Sequence, residues 1–548
     1  MELSFQHANP HSGAESVLLR LRGDVTDQTA CVLIDAGDGV DVDALLSDDE
    51  YLTAVVLTHA HLDHYASLGE NLRDGAPVYA SEPTAAILDD VLGEARTNFG
   101  ISNVDAVLDA LTPVSDWTTV MGALDLRPVP AGHAPGAAGF LLRFEDAAET
   151  RTLLATGDWT RRSVAGFPGL SPALAPDAVL LTGATNDEFE ATLTDAVERI
   201  VARCRAGSSV LVTASGLSGV HIAALLSGLD EAVDAPPVSL VGHGAKLYEA
   251  LGLDHETVTT VQTFDDPAAL VAPGTVTVAG PEVPVEGSAA RLFRVVEDDP
   301  GATLVQLTSG SVTPLESARC TVEQFRYSNH PAEETVDELV ETMGPKQVVV
   351  THQTGEGLSR YKDRYDSFVW ATTDRDEYTL YDDGTWVAPP WVNEHIAREL
   401  RSRQYASGNL RGLSVPDEQM ETVAPQGVTP ADEGVDVSDL RTRTLHRDPE
   451  ASTQDEAQES GDVGGARSAA TESESEPLSP ATLSDIGSQL DRIERQLADD
   501  REGAGRRVRA RVVDAGDGDV FLRLLDEGDD VAFDHGEILT VRLGTDRH

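Results

Sequence analysis

The chain has 548 residues, 40 Lys+Arg against 94 Asp+Glu for a formal net charge of −54, and three cysteines. That length suits about three to four domains. No run of about 18 apolar residues offers a membrane span, and Met1-Glu-Leu-Ser-Phe-Gln-His opens without a basic or apolar leader. Cys31, Cys204 and Cys320 lie far apart with no C-x-x-C pair, which excludes a disulfide framework and suits a reducing compartment, the cytoplasm by default. Taken alone, the acidity argues against a polyanionic partner.

In chain order, residues 1–57 read as short paired strands at 2–7, 16–22 and 31–34, separated by Gly, Asn, Pro and Asp. The third runs into Asp35-Ala-Gly, an aspartate at a strand end. A fourth apolar run, 54–57, is followed by Thr58-His-Ala-His-Leu-Asp-His64, where His59, His61, Asp63 and His64 crowd into six positions. Extended residues two apart share a face, so His59 and His61 can reach one ion. Asp63 and His64 fall where a helix would begin and point to a neighbouring second position. Imidazole nitrogen and carboxylate oxygen are the donors that zinc-like cations take, and a cluster this dense is sterically costly otherwise.

Residues 76–88 read as a strand, a turn and a helix capped near Ser81 or Thr84. The run 124–133 delivers His133 just past a strand, between glycines that allow close backbone approach. Strands at 139–144 and 152–155 lead into Thr156-Gly-Asp-Trp, which sets Asp158 at a strand exit. A carboxylate can bridge two cations with its two oxygens, as a histidine cannot. From 209 to 307, strands (209–214, 238–241, 275–278, 303–307) and helices (219–229, 244–251) alternate, which predicts a mainly parallel sheet with helices packed on it. Phe325-Arg-Tyr-Ser-Asn-His330, a helix at 331–343 and Gln347-Val-Val-Val-Thr-His352 follow. The other histidines have no ligand-like neighbours, although His243, in Val241-Gly-His-Gly244, is placed to line a cleft between domains.

The H-x-H-x-D-H motif resembles the signature of the metallo-β-lactamase fold. The α/β stretch between Asp158 and His352, with a histidine before a helix and another at the next strand end, resembles the β-CASP family, ribonucleases of the ribonuclease J and cleavage-and-polyadenylation type. The likeness runs from residue 1 to about 400. It implies an α/β fold, an αββα sandwich with an inserted α/β domain, divided as 1–185, 186–324 (the insertion) and 325–412. It implies two Zn2+ ions, one on His59, His61 and His133, the other on Asp63, His64 and His352, with Asp158 between them. Asp35 would orient the ligand loop from behind, Asp63 would also orient the attacking water, and His330 would act at the scissile phosphate or leaving oxygen. The implied activity is hydrolysis of single-stranded RNA, internally or from a 5′ end. One departure bears on catalysis: the family's acidic residue at the strand end of 177–187, which supports the histidine at position 330, is replaced by Gly183. Asp187, in the same stretch, is the candidate for a spatial substitute, a placement that the sequence alone does not decide. A catalytically weak or inactive RNA-processing subunit therefore stands beside the nuclease, and a small-molecule metallo-hydrolase beside both.

Beyond residue 412 apolar periodicity disappears, and 413–480 reads as a disordered linker. A helix at 481–500 aligns Ile486, Leu490, Ile493 and Leu497 on one face, a surface for a homodimer or a processing-complex partner. Residues 505–548 read as a small β module whose arginines 506, 507, 509 and 511 form the densest basic cluster.

Lysine occurs only at 246, 346 and 362. This acidic, lysine-poor composition resembles that of proteins from salt-in halophilic archaea. Self-repulsion at −54 opposes compaction, and salt relieves it as the Debye length falls to about 3 Å at 1 M. The unfolding midpoint should therefore rise between low and molar KCl, as followed by circular dichroism; an unchanged midpoint would contradict this.

Overall fold

The structure, a computed structural model, describes residues 1–23, 29–122, 124–146, 149–229, 235–310, 312–406, 415–438, 440, 510–514 and 520–524. The predicted sandwich with an inserted α/β layer is what the chain builds. The first sheet orders its strands as Thr385–Trp386, Tyr378–Asp382, Glu2–His7, Val17–Arg22, Thr29–Ile34, Glu50–Leu57, Val78–Ser81 and Leu111–Val114. The second runs Phe368–Trp370, Gln347–Thr351, Ala178–Thr182, Glu149–Ala155, Ala138–Asp146, Leu124–Pro130 and Thr118–Met121. Both contribute to one apolar core, with Phe5, Phe140, Phe144 and Trp370 among its largest fully buried side chains.

Each sheet is antiparallel on one side and parallel on the other, and the parallel side positions the site. Thr29–Ile34, Glu50–Leu57 and Val78–Ser81 pair in parallel, as do Glu149–Ala155, Ala178–Thr182 and Gln347–Thr351. Parallel strands end together, and loops leaving their carboxyl ends form a natural crevice. Strand Glu50–Leu57 is buried through its last four residues, as befits a parallel strand covered on both faces.

The insertion forms a third sheet, ordered Val258–Val261, Val238–Val241, Val276–Ala279, Ser209–Thr213, Ala302–Thr308 and Thr321–Arg326, with every pair parallel. Its last strand extends through Arg326, so residues 325 and 326 lie in this sheet. Sequence periodicity misses Val258–Val261, Thr321–Arg326 and the helix Gly287–Val296. It also misses the strands at 368–370 and 378–382 that extend both sandwich sheets, because the first has only three residues, all buried, and the second only five without clean alternation. His243 is not in the cleft: it opens helix His243–Ala250 and its Nε2 lies 2.8 Å from Glu94 on helix Glu82–Phe99, a polar contact between insertion and sandwich. His7 is buried with neither ring nitrogen bonded, and burial lowers its pKa to about 4.

The linker expected at 413–480 is corrected over its first part. Residues 415–438 and 440 lie against the body, with Met420, Val423, Val435 and Leu440 buried and Glu433 fully so. Their anchors are single side chains at irregular spacing, with bonds such as Ser163 N–H to the Asp432 carbonyl at 2.9 Å, a pattern that no helix or strand period can reveal. The predicted helix at 481–500 lies outside the described residues. Within 505–548, Ala510–Asp514 and Val520–Leu524 pair as an antiparallel hairpin. Among the described residues no helix is long and apolar enough to cross a membrane.

Candidate metal centre

Four strand ends and one loop deliver the predicted residues to a single place. The ligand loop leaves strand Glu50–Leu57; His133 lies three residues past Pro130, Asp158 three past Ala155, and His352 follows Thr351 directly. Gly157, at φ +55, packs so closely on Thr58 that a Cβ would stand 2.5 Å from Thr58 Cβ. Only glycine lets the Asp158 loop meet the histidine loop at this point.

Hydrogen bonds fix which nitrogen each histidine presents. Asp35, in the left-handed region at φ +56, accepts from Thr58 N–H at 2.8 Å through one oxygen. Its other oxygen accepts from the Thr58 hydroxyl at 2.8 Å and from His64 Nδ1 at 2.8 Å. With its proton committed to Asp35, the Thr58 hydroxyl is left to accept from His59 Nδ1 at 3.1 Å. His133 Nδ1 donates to the Asn329 carbonyl at 2.7 Å. His59, His64 and His133 therefore all expose an Nε2 lone pair, the arrangement that backing hydrogen bonds give to metal-ligating histidines.

Those lone pairs converge. His61 Nδ1 stands 3.0 Å from His59 Nε2 and 3.0 Å from His133 Nε2. A tetrahedral zinc with bonds near 2.0–2.1 Å sets its nitrogens about 3.3 Å apart, so this triangle is of cation-binding size. His64 Nε2 is buried with no hydrogen-bond partner and lies 3.6 Å from Asp158 Oδ2, which is also 3.6 Å from His133 Nε2. Asp158 Oδ1 meets His352 Nδ1 at 3.0 Å. Asp63 Oδ2 closes the second side, 3.9 Å from both His64 Nε2 and His352 Nε2, on a half-exposed side chain. Three sets thus have ligand atoms mutually within 4.8 Å: His59–His61–His133, His59–His64–Asp158, and His133–Asp158–His330. Donor chemistry, tautomers and the orphaned His64 nitrogen all fit divalent metal.

Electrostatics agree. Burial, reinforced by neighbouring histidines, pushes His59 well below its usual pKa, and burial does the same to His133. Burial opposes ionisation of Asp158 too, yet His352 and His64 hold it well below the carboxylate range. Burial likewise opposes a charge on His64, but Asp35, Asp63 and Asp158 raise its pKa well above the usual value. The protein has gathered carboxylates and imidazoles where bare groups repel or compete for protons, and a cation resolves both.

His330 sits with its ring 4.9 Å from that of His133, and its Nδ1 is buried without a partner. No carboxylate supports it from position 183: a Cβ on Gly183 would lie 2.9 Å from Gln353 Cγ and 3.0 Å from Val350 Cγ1. The Gly183 carbonyl accepts from Gln353, Tyr361 and Arg360. Asp187 is no substitute, since its carboxylate accepts from the Glu333 backbone N–H at 2.8 Å. Sequence reasoning misses Thr58, Asn329 and Glu15. The first two adjoin predicted residues and were readable as neighbours. Glu15, which accepts from Asn9 and whose carboxyl burial raises to about 7, carries no motif.

The centre opens into a cavity of about 840 Å³, lined from the sandwich by residues such as Asp63 and Phe99 and from the insertion by Ser215, His221 and Tyr327. No lysine or arginine is among the described residues that line it. Phe99, at the end of helix Glu82–Phe99, is 63% exposed at this opening.

Comparison with known proteins places this geometry. Residues 16–182 match the family described as Metallo-beta-lactamase superfamily. The chain is 33% identical over 180 residues to Ribonuclease TTHA0252 of Thermus thermophilus, covering 30% of this chain and 40% of that protein. It is 25% identical over 233 residues to Endoribonuclease YSH1 of Mycosarcoma maydis, covering 38% of this chain and 26% of that protein. The chain thus spans less than half the length of these two relatives. A crystal structure of a protein of unknown function from Enterococcus faecalis V583 superposes with a TM-score of 0.48 at 15% identity, over 69% of this chain and 99% of that one. The likeness to the metallo-beta-lactamase superfamily thus covers residues 16–182, and two ribonucleases are among the proteins to which the chain is similar.

Asp35→Asn tests the backing of the centre. Asparagine tolerates the left-handed backbone but cannot hold Thr58 and His64 as the carboxylate does. Metal affinity, measured by chelator competition, should fall about 10- to 100-fold with the circular dichroism spectrum unchanged; undiminished affinity would show that Asp35 does not orient the ligands.

Proposed function

We propose that this chain is a zinc-dependent ribonuclease that hydrolyses phosphodiester bonds of single-stranded RNA. The observation that supports the reading is a cavity between the sandwich and the insertion that reaches the cluster of histidine and aspartate side chains. In this reading His59, His61 and His133 would hold one zinc and Asp63, His64 and His352 the other, with Asp158 available to both. Two such ions, when bound, lower the pKa of water and neutralise charge that builds on the phosphate.

The chain's own groups supply the rest. Asp35, Thr58 and Asn329 hold three imidazoles in the tautomer that faces inward. Asp63, half exposed, orients the attacking water, and His330 moves a proton at the leaving oxygen. With no lysine or arginine among the described residues that line the cleft, side-chain cations do not supply strand affinity there; beyond the attraction of bound metal, Phe99 offers a face on which an unpaired base stacks.

A catalytically weak RNA-binding subunit is the second reading, favoured by the unsupported Nδ1 of His330 and the closed space at Gly183. It also sets the limit of a simple rescue, since a glutamate at 183 has no room beside Gln353 and Val350.

Purified protein with zinc in molar KCl should cleave end-labelled RNA, and His330→Ala should lower kcat by about 10²- to 10⁴-fold. Intact RNA at full zinc occupancy would assign the subunit role instead. Binding should also depend weakly on salt, well short of the log–log slope of about −0.7 per neutralised phosphate. Phe99→Ala should weaken binding of an RNA oligonucleotide by roughly five- to a hundredfold. A steep salt slope, or unchanged binding in Phe99→Ala, would refute this mode of recognition.

A further inference from the structure

Glu433 is fully buried in the stretch 415–440, outside everything assigned to the metal centre. Its Oε1 accepts from the Gly166 backbone N–H at 2.8 Å, and its Oε2 lies 2.8 Å from His221 Nε2. The other nitrogen of His221, Nδ1, meets the hydroxyl of Tyr327. A carboxylate only accepts, so Nε2 carries the proton, Nδ1 must accept, and the Tyr327 hydroxyl donates. The chain Tyr327 to His221 to Glu433 is thus directed end to end, with all three side chains buried. A buried carboxylate is costly unless well bonded, and this one is bonded to the sandwich through Gly166 and to the insertion through His221.

The next residue makes a second tie. Gly434, at φ +98, backs onto Arg162 so closely that a Cβ would stand 2.7 Å from Arg162 Cδ. Arg162 Nη2 in turn donates to Asn329 Oδ1 at 2.9 Å and to the His330 carbonyl at 2.7 Å. Asn329 also donates through Nδ2 to the His133 carbonyl at 2.7 Å while its own carbonyl holds His133 Nδ1. Residues 433 and 434 therefore reach both ends of the segment 327–330, one through His221 to Tyr327, the other through Arg162 to Asn329 and His330.

We infer that Glu433 is a positioning residue for the metal centre: through the His221–Tyr327 relay it holds the segment 327–330, and so His330 and the backing of His133, in place. The stretch 415–440 is accordingly part of the active-site scaffold. Only the kinetic arm of the test rests on the hydrolase reading.

The test uses the full chain in molar KCl, as Glu433→Ala, Glu433→Gln, Tyr327→Phe and the double variant Glu433→Ala/Tyr327→Phe. Hydrogen–deuterium exchange of peptides covering 325–332 is read without metal, and kcat and KM for bis(p-nitrophenyl) phosphate with zinc. Glu433→Ala should speed exchange across 327–330 and lower kcat by about tenfold, with KM nearly unchanged and the double variant no worse than Glu433→Ala alone, as expected of groups acting in one chain. Glu433→Gln, which keeps an acceptor for His221, should fall between. Wild-type exchange at 325–332 in Glu433→Ala while 415–440 opens, or strictly additive losses in the double variant, would overturn the inference. If Glu433→Ala does not fold, Tyr327→Phe, which removes one hydroxyl, decides by the same exchange measurement. If the wild type turns over neither this diester nor RNA, the hydrolase reading falls, and exchange alone still decides the role of Glu433.

Discussion

Three imidazole nitrogens gathered at contacts of 3.0 Å are the constraint on which the rest of this molecule depends. His59 Nε2, His61 Nδ1 and His133 Nε2 are brought together, and the first and last of them are turned inward by partners that bind their opposite sides. With the Nε2 atoms of His59 and His133 both left as acceptors, the space between the three rings suits a proton on His61 Nδ1 or a metal cation. Holding it requires rigid supports. The sandwich supplies them by ending its parallel strands together, so that loops from both sheets meet over a shared core. Gly157 and the left-handed Asp35 and His352 are local costs of that convergence, offset by the buried strands behind them.

Charge is distributed to the same end. Cations are few, and many are committed to pairs within the fold: Arg20 to Glu50 at 2.8 Å in the first sheet, Arg162 to Glu190 at 3.0 Å beside the 327–330 segment, and Arg360 to Glu333 at 3.1 Å near Gly183. The cleft receives none among its described lining residues. In the proposed reading, such a site relies on bound metal for attraction to an anionic substrate and on apolar faces such as Phe99 for the remainder, a division suited to a medium in which long-range electrostatics are screened.

The insertion is more than a cover. Asn329 and His330, just past its last strand, enter the metal site directly, and the stretch 415–438 returns to bond both lobes. The local geometry around Gly183 shows the same interdependence. Where a supporting acid is expected, Gln353, Tyr361 and Arg360 converge on a backbone carbonyl, and the space a carboxylate side chain would need is filled.

Much of this was legible in the amino-acid order because metal ligands are chemically distinctive and strands are short: His59, His61, Asp63 and His64 lie within six residues, and His133, Asp158 and His352 each follow an apolar run. The alternation of strands and helices from 209 to 307 likewise announced a parallel sheet. What the order of residues could not contain is proximity between side chains far apart in the chain. That Asn329 backs His133, that Asp187 caps Glu333 instead of serving His330, and that Glu433 reaches Tyr327 through His221 depend on contacts across 106 to 212 positions. Local pattern determined which donors exist and which strands carry them; tertiary packing alone decided which nitrogen each histidine presents, because that choice is made by whatever group stands on its other side.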